Sequence, residues 1–262
     1  MLGAIAGDII GSPYERNNTG KYNFPLFRFR EPISRFTDDT VLTVAVADAL
    51  LHGKDYMPTY RDYYRRYKNR GFGKGFRSWA SVDDQEFGDS FGNGSAMRVS
   101  PVGWYCQSLS DVLAEAEKSA LPSHSHPEGI KGAQAIAACI FLARTGSGKQ
   151  RIKNYVEAEF GYDLSKTVPE LLEEFHFASC QGSVGPAIQA FLDSDNFEDA
   201  IRRAVIQGGD SDTIAAMAGS IAEAYYGGVP ITIRAFAMMY MPYNFRRVIG
   251  EFTKKYIVYN RK

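Results

Sequence analysis

Two short stretches of this 262-residue chain crowd carboxylates and hydroxyls in front of segments that are otherwise small and apolar. The first, RFTDDTVLTVAVADAL, places Thr37, Asp38, Asp39 and Thr40 ahead of one such segment. The second, GGDSDTIAAMAGSIA, places Asp210, Asp212 and Thr213 ahead of another. A helix N-terminus offers unpaired N–H groups and a partial positive charge, so one Asp or Thr there acts as a cap. Capping uses one side chain and leaves the others without a purpose. If the two helix mouths converge, the four carboxylates of Asp38, Asp39, Asp210 and Asp212 meet without a counter-charge. They must then take up protons or bind a cation. Oxygen-only donors from Asp and Thr suit a hard divalent ion, Mg²⁺ or Mn²⁺, rather than zinc. Four carboxylates are enough to neutralise two such ions. Two separate caps with no metal remain the plainer alternative on these residues alone.

The elements that would hold these groups read as helices. TVLTVAVADALL (40–51), GIKGAQAIAACIFLAR (129–144), VGPAIQAFLDS, FEDAIRRAVIQG and DTIAAMAGSIAEAYYGG are apolar and Ala-rich over helical lengths. Gly53, Gly208 and the Gly227–Gly228 pair follow three of them as helix stops. Small side chains let helix axes approach closely and hold polar mouths rigidly, as a reactive site needs. KYNFPLFRFREP is the best strand candidate, and Pro25 and Pro32 confine it to a short edge or a loop. The run YMPTYRDYYRRYKNRGFGKGFRSW (56–79) interleaves aromatic and basic residues, as a nucleic-acid surface does. At helical spacing Tyr56, Tyr60, Tyr63 or Tyr64, and Tyr67 share one face, so an amphipathic helix with an arginine rim is the reading favoured. The expectation is an all-α fold: one compact orthogonal helical domain over residues 1–262, with a metal-binding cleft at helix N-termini.

Bulk properties narrow the function classes. The 30 basic and 30 acidic residues cancel, so no overall charge draws the chain to nucleic acid or a membrane surface. No apolar run approaches the roughly 20 residues of a membrane span. MLGAIAGDIIGS lacks a basic lead and carries Asp8 inside its apolar stretch, a poor secretion signal. Cys106, Cys139 and Cys180 are odd in number and widely spaced, which argues against disulfides and zinc and for core thiols in a reducing cytoplasm.

In order along the chain, GAIAGDIIGSPYE, FTDDTVLTVAVADAL, GNGSAMRVSP, SHSHPEGIKGAQAIA and QGGDSDTIAAMAGSIAEAYYG resemble the motifs of the ADP-ribosylglycohydrolase family. The resemblance runs from about residue 2 to residue 230. It implies an all-α protein with a binuclear Mg²⁺ or Mn²⁺ centre that cleaves the bond between the distal ribose of ADP-ribose and an acceptor. Thr37, Asp38, Asp39, Asp210, Asp212 and Thr213 match the family's metal ligands. Glu15 matches an acidic residue near the metals that can also gate the site, and Glu15 or Asp38 would be the general base.

The loop Gly92, Asn93, Gly94, Ser95 resembles the one that wraps the distal ribose and diphosphate, with Asn93 and Ser95 as direct contacts and Met97 packed beneath. Arg98 would meet a phosphate or form a structural ion pair. His124 matches a histidine that lies along the ligand, while His126, ahead of Pro127, opens the next helix. Gly182, Ser183 and Val184 would sit near the nucleotide end. Some members carry an acid just before the glycine loop; Asp89 and Asp84 are the nearest here. The reaction implied is metal-assisted hydrolysis without a covalent intermediate. The partner would be an ADP-ribosylated protein or a small ADP-ribose conjugate, met by a monomer. An ADP-ribose-binding module, or a hydrolase of another ribosyl or phosphoester linkage, is the alternative.

Overall fold

The N-terminal sequence LGAIAGDIIG repeats glycine every fourth residue, which lays Gly3, Gly7 and Gly11 along one face of a helix. In the computed structural model, which describes residues 1–15, 20–83, 86–166, 170, 177–257 and 259, that face is pressed against another helix. The first helix, α1 (Leu2–Gly11), packs along α12 (Ser211–Tyr225). The approach is so close that a Cβ at Gly7 would lie 2.1 Å from the Ala215 carbonyl oxygen, and one at Gly11 would lie 2.5 Å from the Asp212 Cα. The helix that carries the second acid cluster is therefore set against α1 backbone to backbone. Gly7→Val should cost at least the roughly 1–3 kcal/mol of ordinary overpacking, because backbone rather than a flexible side chain must yield. Thermal unfolding of the purified variant checks this.

The described residues contain fourteen helices and no strand. After α1 come α2 (Asp38–His52), α3 (Tyr56–Arg66), α4 (Lys74–Ala80), α5 (Gly94–Arg98), α6 (Ser100–Tyr105), α7 (Leu109–Ala120) and α8 (Pro127–Arg144). Then follow α9 (Lys149–Phe160), α10 (Cys180–Leu192), α11 (Phe197–Ile206), α12, α13 (Ile231–Met239) and α14 (Tyr243–Tyr256). Two isolated bridges, Asp89 to His124 and Gly92 to Ser179, are the only extended pairings described. The chain is all-α, as its periodicity indicates.

At the centre, α12 is buried at every residue from Ser211 to Ala224 and packs against α1, α8, α10 and α11. Its neighbour α2 is buried from Asp39 to Leu50. The glycine stops appear where expected, with Gly53 at φ +62° closing α2 and Gly208 and Gly209 at +79° and +68° turning the chain into Asp210. The expected tyrosine face of α3 is also present: Tyr56, Tyr60, Tyr63 and Tyr64 are buried, and Tyr67 packs on Phe245 with ring centroids 4.8 Å apart. One charge departs from the expected rim, since Arg61 is buried with its guanidinium over the Trp79 ring. KYNFPLFRFREP forms no strand; it is a run of bends that buries Phe24, and no second strand is described for it to pair with. All three cysteines are free and buried. No helix among the described residues is long and apolar enough to cross a membrane.

Candidate active site

The N-termini of α2 and α12 meet at the floor of a cleft of about 690 Å³, within the range of small-molecule sites. Thr37 is the cap of α2: its Oγ1 accepts from the Asp39 N–H at 3.3 Å. The same hydroxyl lies 2.8 Å from Asp8 Oδ1 and 3.2 Å from Asp39 Oδ2, and its single proton goes to the nearer, Asp8. At the other mouth, Asp210 occupies the cap position of α12 without a side-chain capping bond and instead accepts from Asn93 Nδ2 at 2.8 Å. The two mouths are tied directly, because Thr213 Oγ1 donates to Asp39 Oδ2 at 3.2 Å. Capping thus accounts for Thr37 and leaves Asp39, Asp210 and Asp212 without that role.

The electrostatics are those of an unneutralised acid cluster. Burial, followed by the charges of Asp8, Asp38 and Asp210, holds the Asp39 carboxyl well above its ordinary pKa. Asp212 is raised in the same direction by burial, then by Asp210, Asp39, Asp8 and Glu15. Asp38, less deeply buried than these two, is raised by burial first and then by Asp8, Asp210 and Glu15. Asp39 Oδ1 is buried with no hydrogen-bond partner among the described residues. A buried, unpartnered carboxylate oxygen among other carboxylates is costly unless a cation takes its lone pairs. The donor set of Asp and Thr oxygens therefore fits a hard divalent ion at this position.

Asp8 is the residue that sequence reasoning missed. Its carboxylate, fully buried on α1, takes both N–H and O–H from Thr37 and both from Thr40, with the Thr37 and Thr40 N–H groups at 2.9 and 3.1 Å. Burial pushes its pKa up to about 6 against the lowering effect of these bonds. Asp8, Asp39 and Asp212 each bring an oxygen within 4.8 Å of the others. Asp8 is nevertheless already served by four donors, and these bonds fix the orientation of Thr37 and Thr40. Its sequence signal was an acid beside Gly7 on the face that α12 requires to be bare.

Most of the remaining expected residues reach the cleft. Glu15, Asp38, Gly92, Asn93, Gly94, Met97, His124 and Asp89 all line it. His124 lies so near the loop that a Cβ at Gly94 would be 2.9 Å from its Nε2, so the ring's position requires that glycine. Ser95 is not on the wall; it is fully buried and its hydroxyl donates to the Gly129 carbonyl at 2.7 Å, fastening α5 to α8. Gly182, Ser183 and Val184 are also off the wall. They are buried in the first turn of α10, where Ser179 Oγ accepts from the Gly182 N–H and Ser183 Oγ donates to the Ser179 carbonyl. The chain that lines the cleft on that side is Phe177 and Ala178. Asp84 lies outside the described residues. Gly71, Gly73, Gly75, Phe76 and Trp79, the end of the aromatic–basic run that the motifs left unexplained, also line the cleft.

Known proteins resemble this chain over most of its length. The ADP-ribosylhydrolase ARH3 of Homo sapiens is 26% identical over 305 residues, which span 87% of this chain and 84% of that protein. The ADP-ribosylarginine hydrolase Tri1 of Pseudomonas putida is 25% identical over 268 residues, 88% of this chain and 71% of its own length. A solved structure described as an ADP-ribosylglycohydrolase-related protein complex superposes with a TM-score of 0.68 at 24% identity, covering 92% of this chain and 97% of that one, and so shares the fold. The sequence model of ADP-ribosylglycohydrolases matches residues 1–240, and the chain belongs to that family of glycosidase-type hydrolases.

Proposed function

We propose that this enzyme releases ADP-ribose from an ADP-ribosylated acceptor, a protein side chain or a small conjugate, by hydrolysing the bond at C1″ of the distal ribose with two Mg²⁺ or Mn²⁺ ions. The observation that carries this reading is Asp39, buried at the junction of two helix mouths with one oxygen unpartnered. The family membership and the named activity of ARH3 support the reaction class, and the name of Tri1, an ADP-ribosylarginine hydrolase, supports a side-chain acceptor.

Thr37, Asp38, Asp39, Asp210, Asp212 and Thr213 would hold the ions. When bound, such ions orient the ribose hydroxyls and a water, and lower the pKa of that water. The chain's own groups do the remaining work. With its proton given to Asp8, the Thr37 hydroxyl keeps lone-pair density for a cation. Asn93 links the glycine loop to Asp210, so the wall that meets the ligand is fixed relative to the acid cluster. Of Glu15 and Asp38, both on the cleft wall, the carboxylate left with a free oxygen takes the proton from the attacking water. Phe76 and Trp79, which also line the cleft, exclude solvent from it.

Defined ADP-ribosyl-arginine, ADP-ribosyl-serine and small ADP-ribose conjugates, incubated with Mn²⁺ or Mg²⁺, test this directly. Free ADP-ribose should appear from at least one, stop with chelator and resume on adding metal. No release from any of them with metal present would reject the reading. Accumulation of a ribosyl-enzyme adduct in the wild type would reject direct hydrolysis.

A further inference from the structure

His124 is held by a chain of groups that begins at a cation with no carboxylate partner. Arg98, the last residue of α5, is fully buried, and no ion pair to it occurs among the described residues. Its guanidinium stacks on the Tyr60 ring, 4.3 Å from the centroid. One terminal nitrogen donates to the Ser119 carbonyl and to Ser123 Oγ, each at 2.9 Å, while Nε and the other terminal nitrogen have no partner among the described residues. Ser123 Oγ in turn lies 2.7 Å from His124 Nδ1.

Proton counting fixes the direction of this chain. Arginine can only donate, so Ser123 Oγ accepts from Arg98 and must place its own proton elsewhere. The only acceptor described within its reach is His124 Nδ1. Nδ1 then carries no proton, and a neutral ring bears its N–H at Nε2. The ring is neutral because burial, followed by the nearby Arg98 charge, lowers its pKa well below the ordinary value. Nε2 makes no hydrogen bond among the described residues and faces the glycine loop at Gly92 and Gly94 on the cleft wall. The backbone that carries the ring is pinned, because the His124 N–H bonds to the Ala120 carbonyl and the Ser125 N–H to the Gly88 carbonyl, and the Ser123 bond to Nδ1 orients the ring itself.

We infer that Arg98 and Ser123 are positioning residues that lock His124 as an Nε2–H donor, aimed at an anionic oxygen of the ligand's diphosphate beside the glycine loop. The identity of that oxygen rests on the proposed function; the locked tautomer does not. The buried, uncompensated Arg98 cation adds to the same end, since it lies beneath the loop and favours an anion there.

The imidazole ¹⁵N shifts of ligand-free protein report the tautomer, and calorimetric titration with ADP-ribose reports the contact. The wild type should show one neutral form, protonated at Nε2. Ser123→Ala should give a mixed or Nδ1–H ring and bind ADP-ribose about 2- to 10-fold more weakly, the range of one hydrogen bond. Ser123→Thr, which keeps the hydroxyl, should restore both. A wild-type ring protonated at Nδ1, or a Ser123→Ala protein with unchanged shifts and affinity, would overturn the inference. Failure of the wild type to bind ADP-ribose at all would reject the diphosphate contact together with the functional reading, and the ¹⁵N shifts would then decide the locked tautomer alone.

Discussion

Asp39→Asn should abolish ADP-ribose release and, in the same protein, raise the unfolding temperature of the metal-free form. Both effects come from one carboxylate. Asp39 is buried, receives Thr213 from the second cluster, and keeps one oxygen unpartnered. As a ligand at the junction it should matter more than a residue that merely orients ligands, so activity should fall by more than about 100-fold. Without metal the same charge is a burden, because burial and the Asp8, Asp38 and Asp210 charges hold its pKa well above the ordinary value. Removing it should add on the order of 1 kcal/mol, or about 2–4 °C in Tm for a chain of this length. The sign of the pH dependence follows from linkage. A carboxyl whose folded pKa is raised takes up a proton on folding between its unfolded and folded values, so it destabilises the fold increasingly as pH rises through that window. The gain in Tm should therefore be small near about pH 4, the ordinary carboxyl range, and grow as the pH rises above it. Thermal scans of both proteins in chelator, at several pH values, measure it. A metal-free variant less stable than the wild type at neutral pH would contradict the proposed charge crowding.

Asp8 should behave in the opposite way. It does not itself line the cleft, yet Asp8→Asn should weaken metal binding and turnover by about 10- to 100-fold, the usual cost of losing a partner that orients a ligand. Its carboxylate accepts two backbone N–H groups and two hydroxyls from Thr37 and Thr40. The hydroxyls can rotate to new acceptors, but the N–H groups cannot. An asparagine keeps one acceptor oxygen and turns an NH₂ toward the remaining donors, so Thr37 loses its aim. Asp8→Ala removes every acceptor and should also cost stability, about 1–3 kcal/mol for each buried N–H left unmet. Mn²⁺ titrations and denaturant unfolding separate the two losses. Equal Mn²⁺ affinity in wild type and Asp8→Asn would show that Thr37 needs no such support.

The helices were legible because α2, α8 and α12 are small and apolar over helical lengths, and glycines with positive φ follow α2, α11 and α12. The two acid clusters were legible because Asp and Thr exceed what a cap can use. Asp8 was not, because its partners stand 29 and 32 residues away and nothing local marks a buried acid inside LGAIAGDIIG. The four-residue glycine spacing was the available signal, since a face bared for backbone contact fixes which way its neighbours point. Gly71 to Trp79 was hidden by the stronger amphipathic pattern of α3, which explains the tyrosines and says nothing of the turn that follows. Ser95 and Ser183 illustrate a different limit. A serine beside a glycine in a loop motif reads the same whether its hydroxyl meets a ligand or, as here, a buried carbonyl.

The central claim is that two helix mouths joined at Asp39 form one divalent metal centre on which ADP-ribose release depends. Titrating metal-free protein with Mn²⁺, while following bound ion and product together, tests it most directly. Activity should be absent at the start, rise with occupancy and level off at two ions per chain. Full turnover in rigorously metal-free protein, or saturation with no change in rate, would contradict the account.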